Sequence, residues 1–353
     1  MRYRHREGDE SGYWKLAWDG ALGRPFSAKS LPARRPRFVL TLLTQVVVFS
    51  RMIRIKHINA FTTKPFLGNP AAVVTRADAL TEDQMQKVAR EMNLAETAFV
   101  LKSSRPAADL RLRWFTPTTE VNFCGHATIA SFHALAEERR FRMGRSGQYS
   151  FNVETRSGIL PISVQKGPSS RAWIQVQVPA TRFSSYRGPL VEILAALGVG
   201  KKELHPSLPV QIDSRRMLYL PFGKLKTVFQ IEPSFDRLKK IGEHDRLHGI
   251  CVFTPQTVDP KSTFHSRFFA PNYGINEDPV TGSTNGPLGA YFYGHGLLPP
   301  HNGKCLAVGE QGDVLGRKGR VSVEIELDQE RVASVRIGGE AVTLFEAPLR
   351  LNL

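Results

Sequence analysis

From residue 52 onward, apolar and polar residues alternate in short runs that predict strands. IRIKHINAF, AFVL, LRLRWF, SFNVETRSGILPISVQ and AWIQVQVPA place β-branched or aromatic residues at every second position, with Gly, Pro and Asn at the turns. GNPAAVV, from Gly68 to Val74, is a turn followed by another strand. Thr81, followed by Glu82 and Asp83, reads as the N-cap of a helix reaching about Met92. The segment from Pro179 to Pro189 is polar and turn-rich, and a domain boundary is expected there. Beyond it the pattern predicts a helix near Leu190 to Leu197 and the strands MLYLPF and GICVFT. RVSVEIEL, VASVRIGG and EAVTLFEAPL close the chain as strands expected to wrap around a second central helix.

One arrangement occurs twice. Arg113-Trp114-Phe115-Thr116-Pro117 runs on to Cys124-Gly125-His126 and IASFHALAEE; Arg267-Phe268-Phe269-Ala270-Pro271 runs on to Thr281-Gly282-Ser283 and NGPLGAYFYGHG. Each copy reads as an aromatic strand, a Pro-marked loop, a glycine turn and an amphipathic helix. A duplicated half follows. Facing halves would bring two helix N-termini to one cleft, where unpaired N–H groups and the helix dipole favour an anion. Many strands and one apolar helix per half make the fold class α+β: two similar domains, each a curved, mostly antiparallel sheet or barrel around a central helix. The expected divisions are residues 1–51 as an extension, 52–178 as the first half-domain and 179–353 as the second, with the last strand free to return to the first.

With 353 residues, two domains of ordinary size are expected. A hydrophobic content of 41% against 23% charged residues places the chain among globular proteins. The formal charge of +16 raises nucleic acid as a partner. About a third of that excess precedes residue 52 and the rest is scattered, with no helix-turn-helix, zinc-finger or aromatic RNA-binding signature; no nucleic-acid partner is expected. Cys124, Cys251 and Cys305 form neither a disulfide framework nor a metal-ligand spacing, which fits a reducing cytoplasm and no metal. The apolar run FVLTLLTQVVVF behind Arg34, Arg35 and Arg37 is shorter than a membrane span and lacks a cleavage site after it. Residues 1–51 are therefore expected to be a disordered or artefactual extension, with Met52 as the natural start.

The strings FTTKPFLGNPAAVV, NLAETAFV, RWFTPTTEVNFCGHAT and EDPVTGSTNGPLGAY resemble the PhzF family of phenazine biosynthesis-like isomerases, and the resemblance extends from Met52 to near the carboxyl terminus. It implies the diaminopimelate epimerase-like fold, an active site in the interdomain cleft, no organic cofactor or metal, a small carboxylic acid as substrate and a homodimer. Glu96 corresponds to the family's general acid/base, and His126, Asp278 and Ser283 to residues that bind the substrate or polarise it. Thr284 and Asn285 depart from the family's usual residues, which leaves the pocket's shape open.

Each assignment has a plainer counterpart. Glu96 lies between a loop and an apolar strand, where burial raises a carboxyl's pKa toward a working value; alone it is equally a solvated glutamate or a cap. His126 reads as a cap or a core side chain, Asp278-Pro279 as a turn, and Ser283 as an N-cap. Asn69 offers an amide to the substrate or only turns the chain. Gly125 and Gly282 let a carboxylate approach backbone N–H groups. The expected reaction is a proton shift on an unsaturated or enolisable acid, with Glu96, Asp278 and His126 catalytic and Asn69, Gly125, Gly282 and Ser283 binding. Two alternatives stand beside it. One is an amino-acid or hydroxy-acid epimerase using Cys124; racemases of the resembled fold use one thiol per half, and here the second motif has none. The other is a non-catalytic protein that binds a small acid.

Overall fold

Alternating runs become strands wherever one face can be buried, and here they join into a single curled sheet. The computed structural model describes residues 51–168, 171–179 and 181–351. The expectations for residues 1–51 thus lie outside the described residues, except for Arg51. β1 (Arg51–Ala60) pairs antiparallel with β2 (Asn69–Val74), and α1 (Glu82–Met92) leads to β3 (Glu96–Leu101), parallel to β2. β4 (Leu110–Phe115) returns beside β3, and β5 (Glu120–Val121) leads into α2 (Gly125–Glu137). β6 (Gly147–Thr155), β7 (Gly158–Lys166) and β8 (Ala172–Val178) then meander.

The second half begins with β9 (Phe183–Ser185), α3 (Leu190–Ala196), β10 (Gln211–Asp213) and β11 (Met217–Pro221). α4 (Leu225–Gln230) and α5 (Phe235–His244) lead to β12 (Gly249–Thr254), parallel to β11. There follow β13 (Phe264–Ala270), β14 (Ile275–Asp278), α6 (Gly282–Gly294), β15 (Lys304–Gln311), β16 (Gly319–Asp328), β17 (Arg331–Gly339) and β18 (Ala341–Leu351). The strand pairings repeat in order and sense. β2–β3, β3–β4, β4–β5 and β4–β6 are matched by β11–β12, β12–β13, β13–β14 and β13–β15.

Two cross-connections tie the repeats together. β17 pairs with β8 from Val335↔Val178 to Gly339↔Ile174, and β18 pairs with β1 from Arg51↔Leu351 to Ala60↔Ala341. The last strand therefore lies beside the first helix, the return to the first half that the sequence left open. α6 packs on β15, β16 and β17 and against Phe253 of β12 and Phe264 of β13, while α2 packs on strands that include β1, β2, β8 and β18.

The central helices are not amphipathic, contrary to the sequence expectation. Twelve of the thirteen residues of α2 are buried, from Gly125 to Ala136, and α6 likewise buries residues on every side. A helix enclosed by a sheet has no wet face, so apolar and small residues occupy the whole circumference. α1 is the contrast, with Met85, Val88 and Ala89 buried and Lys87 and Glu91 exposed. Thr81 caps it reciprocally: Gln84 N–H donates to Thr81 Oγ1 at 3.3 Å and Thr81 N–H to Gln84 Oε1 at 2.9 Å, a box worth about 1 kcal/mol. α4 and α5 were not anticipated; α5 buries only Leu238 and Gly242, too sparse a stripe to read in a charged segment. No helix among the described residues is long and apolar enough to cross a membrane.

Candidate active site

Glu96 opens β3 opposite Ala71 of β2. The next four residues, Thr97 to Val100, are fully enclosed, while the Glu96 side chain keeps 14% of its exposure. Its carboxyl is walled in yet reachable. Opposite it stands the start of α2. Cys124 occupies the N-cap position without capping through its side chain, and the first helical bond runs from Thr128 N–H to the Cys124 carbonyl. The N–H groups of Gly125 and His126 precede that bond.

His126 lies between the other groups. Its Nδ1 is 3.5 Å from Cys124 Sγ and its Nε2 is 3.4 Å from Glu96 Oε2, the latter too poorly aligned for a hydrogen bond. Asp278 ends β14 and comes to the same place from the second half. Its carboxylate accepts Asn69 Nδ2 at 2.8 Å and the Thr281 hydroxyl. Both amide hydrogens of Asn69 are engaged, the second on the Val280 carbonyl at 2.8 Å, and its buried Oδ1 is unpaired.

α6 begins as α2 does. Thr281 is its N-cap residue, and the N–H groups of Thr284 and Asn285 both return to the Thr281 carbonyl. Gly282 and Ser283 therefore hold the two leading N–H positions, and Ser283 is not the cap. The two turns face each other: a Cβ on Gly125 would lie 3.9 Å from Gly282 Cα, and Cβ atoms on both glycines would meet Ile337 Cδ1. The structure thus brings Glu96, Cys124, His126, Asp278, Asn69, Gly125, Gly282 and Ser283 to one locus.

Burial sets the electrostatics. It raises the Glu96 carboxyl to about 8, helped by the nearby Asp278 charge and opposed by a hydrogen bond with Cys124. Burial also raises Asp278 to about 6, against the bonds from Thr281 and Asn69 that favour its anion. It lowers His126 to about 4, although the Pro70 carbonyl favours the protonated ring. The Cys124 thiol is pushed well above its ordinary range by burial and by the Glu96 charge. At neutral pH these values leave a neutral imidazole, a thiol, a mostly protonated Glu96 and a mostly ionised Asp278. Glu96, Cys124 and His126 offer oxygen, sulfur and nitrogen atoms within 4.8 Å of one another, a donor set that a borderline-soft divalent cation accepts. Binding one would release the thiol proton.

The duplication is chemically unequal. Trp114 pairs with Ala98 and Val121 in the first half, and Phe268 with Cys251 and Asp278 in the second. Val121 is therefore the counterpart of Asp278, and Gly249, two residues before Cys251, the counterpart of Glu96. Thr281 answers Cys124, and Ser283 answers His126. Only the first half supplies the glutamate and the thiol.

Sequence reasoning missed the support beneath Asp278. Gln311 Nε2 donates to the Asp278 carbonyl at 2.8 Å and to Thr281 Oγ1 at 3.0 Å, while its Oε1 accepts Thr281 N–H at 2.9 Å and Asn285 Nδ2 at 2.8 Å. Its only local signal is a buried polar residue ending an otherwise ordinary strand.

Residues 58–347 match the PhzC-PhzF family of phenazine biosynthesis-like proteins. An uncharacterized isomerase of Clostridium acetobutylicum is 39% identical over 305 residues, 86% of this chain and 99% of that protein. The crystal structure of a PhzF-family phenazine biosynthesis protein of Bacillus anthracis superposes with a TM-score of 0.75 at 31% identity, over 85% of this chain and 99% of that one. A hydroxyproline epimerase of Agrobacterium vitis shares the fold at 13% identity, with a TM-score of 0.58 over 86% of this chain and 94% of that one. The chain belongs to the PhzF family of phenazine biosynthesis-like proteins, alongside relatives named as isomerases over most of its length.

Proposed function

We propose that this isomerase moves a proton between carbons of a small unsaturated or enolisable carboxylic acid, with Glu96 as the single acid/base. The two repeats serve as half-domains, and the substrate lies between them. Its carboxylate is received by the leading N–H groups at Gly125-His126 and Gly282-Ser283, where the dipoles of two helices add. Glu96 takes the proton from carbon. The charge that develops is stabilised by those N–H groups and by hydrogen bonds from His126 and from Asp278 in its protonated form, and Glu96 returns the proton elsewhere on the same face.

One observation carries this reading: a buried carboxyl raised to about 8 beside two converging helix starts. A carboxylate with that pKa is a stronger base than an exposed one, and its conjugate acid still gives the proton back near neutrality. Gly249 as the counterpart of Glu96 supports one shuttle rather than two opposed bases. The Cys124 thiol, held neutral, is a poor first base for the epimerase alternative. The test is deuterium incorporation into candidate acids in deuterated water. Glu96→Gln should slow it by about 10²- to 10⁴-fold; exchange at the parent rate would remove the assignment.

A further inference from the structure

Pro287 lies inside α6 and has no N–H to offer the carbonyl four residues earlier, that of Ser283. That carbonyl nevertheless has a donor, Arg215 Nη2 at 2.8 Å. Arg215 sits in the turn between β10 and β11, which Asp213 builds. Asp213 Oδ1 accepts the backbone N–H groups of Arg215 at 2.8 Å and Met217 at 2.9 Å. Its Oδ2 accepts Arg215 Nε at 3.2 Å and Nη2 at 2.8 Å. Asp213 is buried, so the guanidinium is held by a fixed carboxylate and aimed at one backbone oxygen.

The repeat places this arginine at the site. Ala71 pairs with Glu96 and Met217 with Gly249, which makes Arg215, two residues before Met217, the counterpart of Asn69. Asn69 holds Asp278 and Val280 on the approach to α6, and Arg215 holds the helix's first turn. The two side chains fix one anion-binding turn from different halves of the repeat.

We propose that Arg215 is a positioning residue: it supplies the hydrogen bond that Pro287 removes from α6 and so fixes the Gly282-Ser283 turn for the substrate carboxylate. This rests on the carboxylate-docking reading above. The arginine does not touch the substrate in this scheme; it acts through Ser283.

The test uses Arg215→Lys, which keeps a cation beside Asp213 but loses the rigid fork, Pro287→Ala, which restores an N–H four residues after Ser283, and the double variant. The probe is crotonate, a minimal unsaturated carboxylate, titrated by ligand-observed NMR. Amide hydrogen exchange across residues 281–288 is followed in parallel. Arg215→Lys should weaken crotonate by about fivefold or more and speed exchange. Pro287→Ala alone should bind like the parent, and the double variant should return to within about twofold of it on both measures. Unchanged exchange in Arg215→Lys, or a double variant as weak as Arg215→Lys, overturns the proposal. Faster exchange with unchanged crotonate affinity overturns it too, since the turn would then be held without serving the acid. A parent that does not bind crotonate counts against the docking reading itself, and the exchange data then decide alone whether Arg215 holds the turn.

Discussion

Gly282 and Ile337 are so close that a methyl group built on the glycine would lie 2.3 Å from Ile337 Cδ1. The same carbon would lie 2.9 Å from a methyl on Gly125. Gly282→Ala should therefore destabilise by about 1–3 kcal/mol, and more than Gly125→Ala. Ile337→Val deletes the obstructing atom. In urea unfolding, Gly282→Ala with Ile337→Val should recover much of the loss; a strictly additive double variant would show that this contact is not the cause.

Cys124 separates proton shift from epimerisation. Its thiol is buried and held neutral, and its counterpart is the hydroxyl of Thr281. Cys124→Ser should keep solvent exchange within about tenfold of the parent, because a hydroxyl fills the same small space. Loss as deep as that of Glu96→Gln would favour the thiol as a base.

The pKa shifts predict how stability follows pH. The folded Glu96 carboxyl titrates near 8 instead of 4.5, so between those values the folded state holds a proton that the unfolded chain has released. Stability from this group is complete below 4.5 and is lost as pH rises through 8. Asp278 has the same sign between 3.8 and 6. His126 has the opposite sign: folded it stays neutral down to about 4, so its contribution falls as pH drops below 6.5. The melting temperature of Glu96→Gln minus that of the parent should be smallest near pH 4.5 and grow until pH passes 8. A pH-independent difference would contradict the raised value.

Gln311 saturates three elements at once, the end of β14, the Thr281 cap and Asn285. Gln311→Ala leaves the buried Thr281 N–H and one hydrogen of the Asn285 amide, whose other donates to the Thr281 carbonyl, without their acceptor, at a cost of about 1–3 kcal/mol. Gln311→Glu keeps the acceptor but loses the donor to the Asp278 carbonyl. Both should lower the urea midpoint, and Gln311→Glu should shift it less at acid pH, where a neutral carboxyl can donate. Equal shifts at all pH values would argue against that bond.

The repeat was legible because Arg113-Trp114-Phe115 and Arg267-Phe268-Phe269 resemble each other as strings. What those arginines do was not. Arg113 Nε and Nη2 each reach Glu120 at 2.7 Å, and Arg267 reaches Glu277 through the same two atoms at 2.8 Å. Each guanidinium also lies over the second aromatic ring of its string, 5.0 Å from Phe115 and 5.1 Å from Phe269. The short 3-10 turn Pro271–Tyr273 lengthens the second copy, so the ion pairs occur at different sequence spacings and no motif reveals them. Glu96, His126 and Asp278 could be named because each sits in a distinctive short string. Gln311 and Arg215 could not, since the site groups they hold are 26 or more residues away and their own neighbours are ordinary strand and turn residues.

The antiparallel match of β18 with β1 has a consequence for biosynthesis. A nascent chain emerges from the ribosome amino terminus first, and the strand that seals the outer edge of β1 is translated last. Until then that edge, ten residues long, leaves the N–H and C=O of every second residue unpaired and open to a neighbouring polypeptide. Emergence of β18, rather than completion of the first half, is the event that shields it.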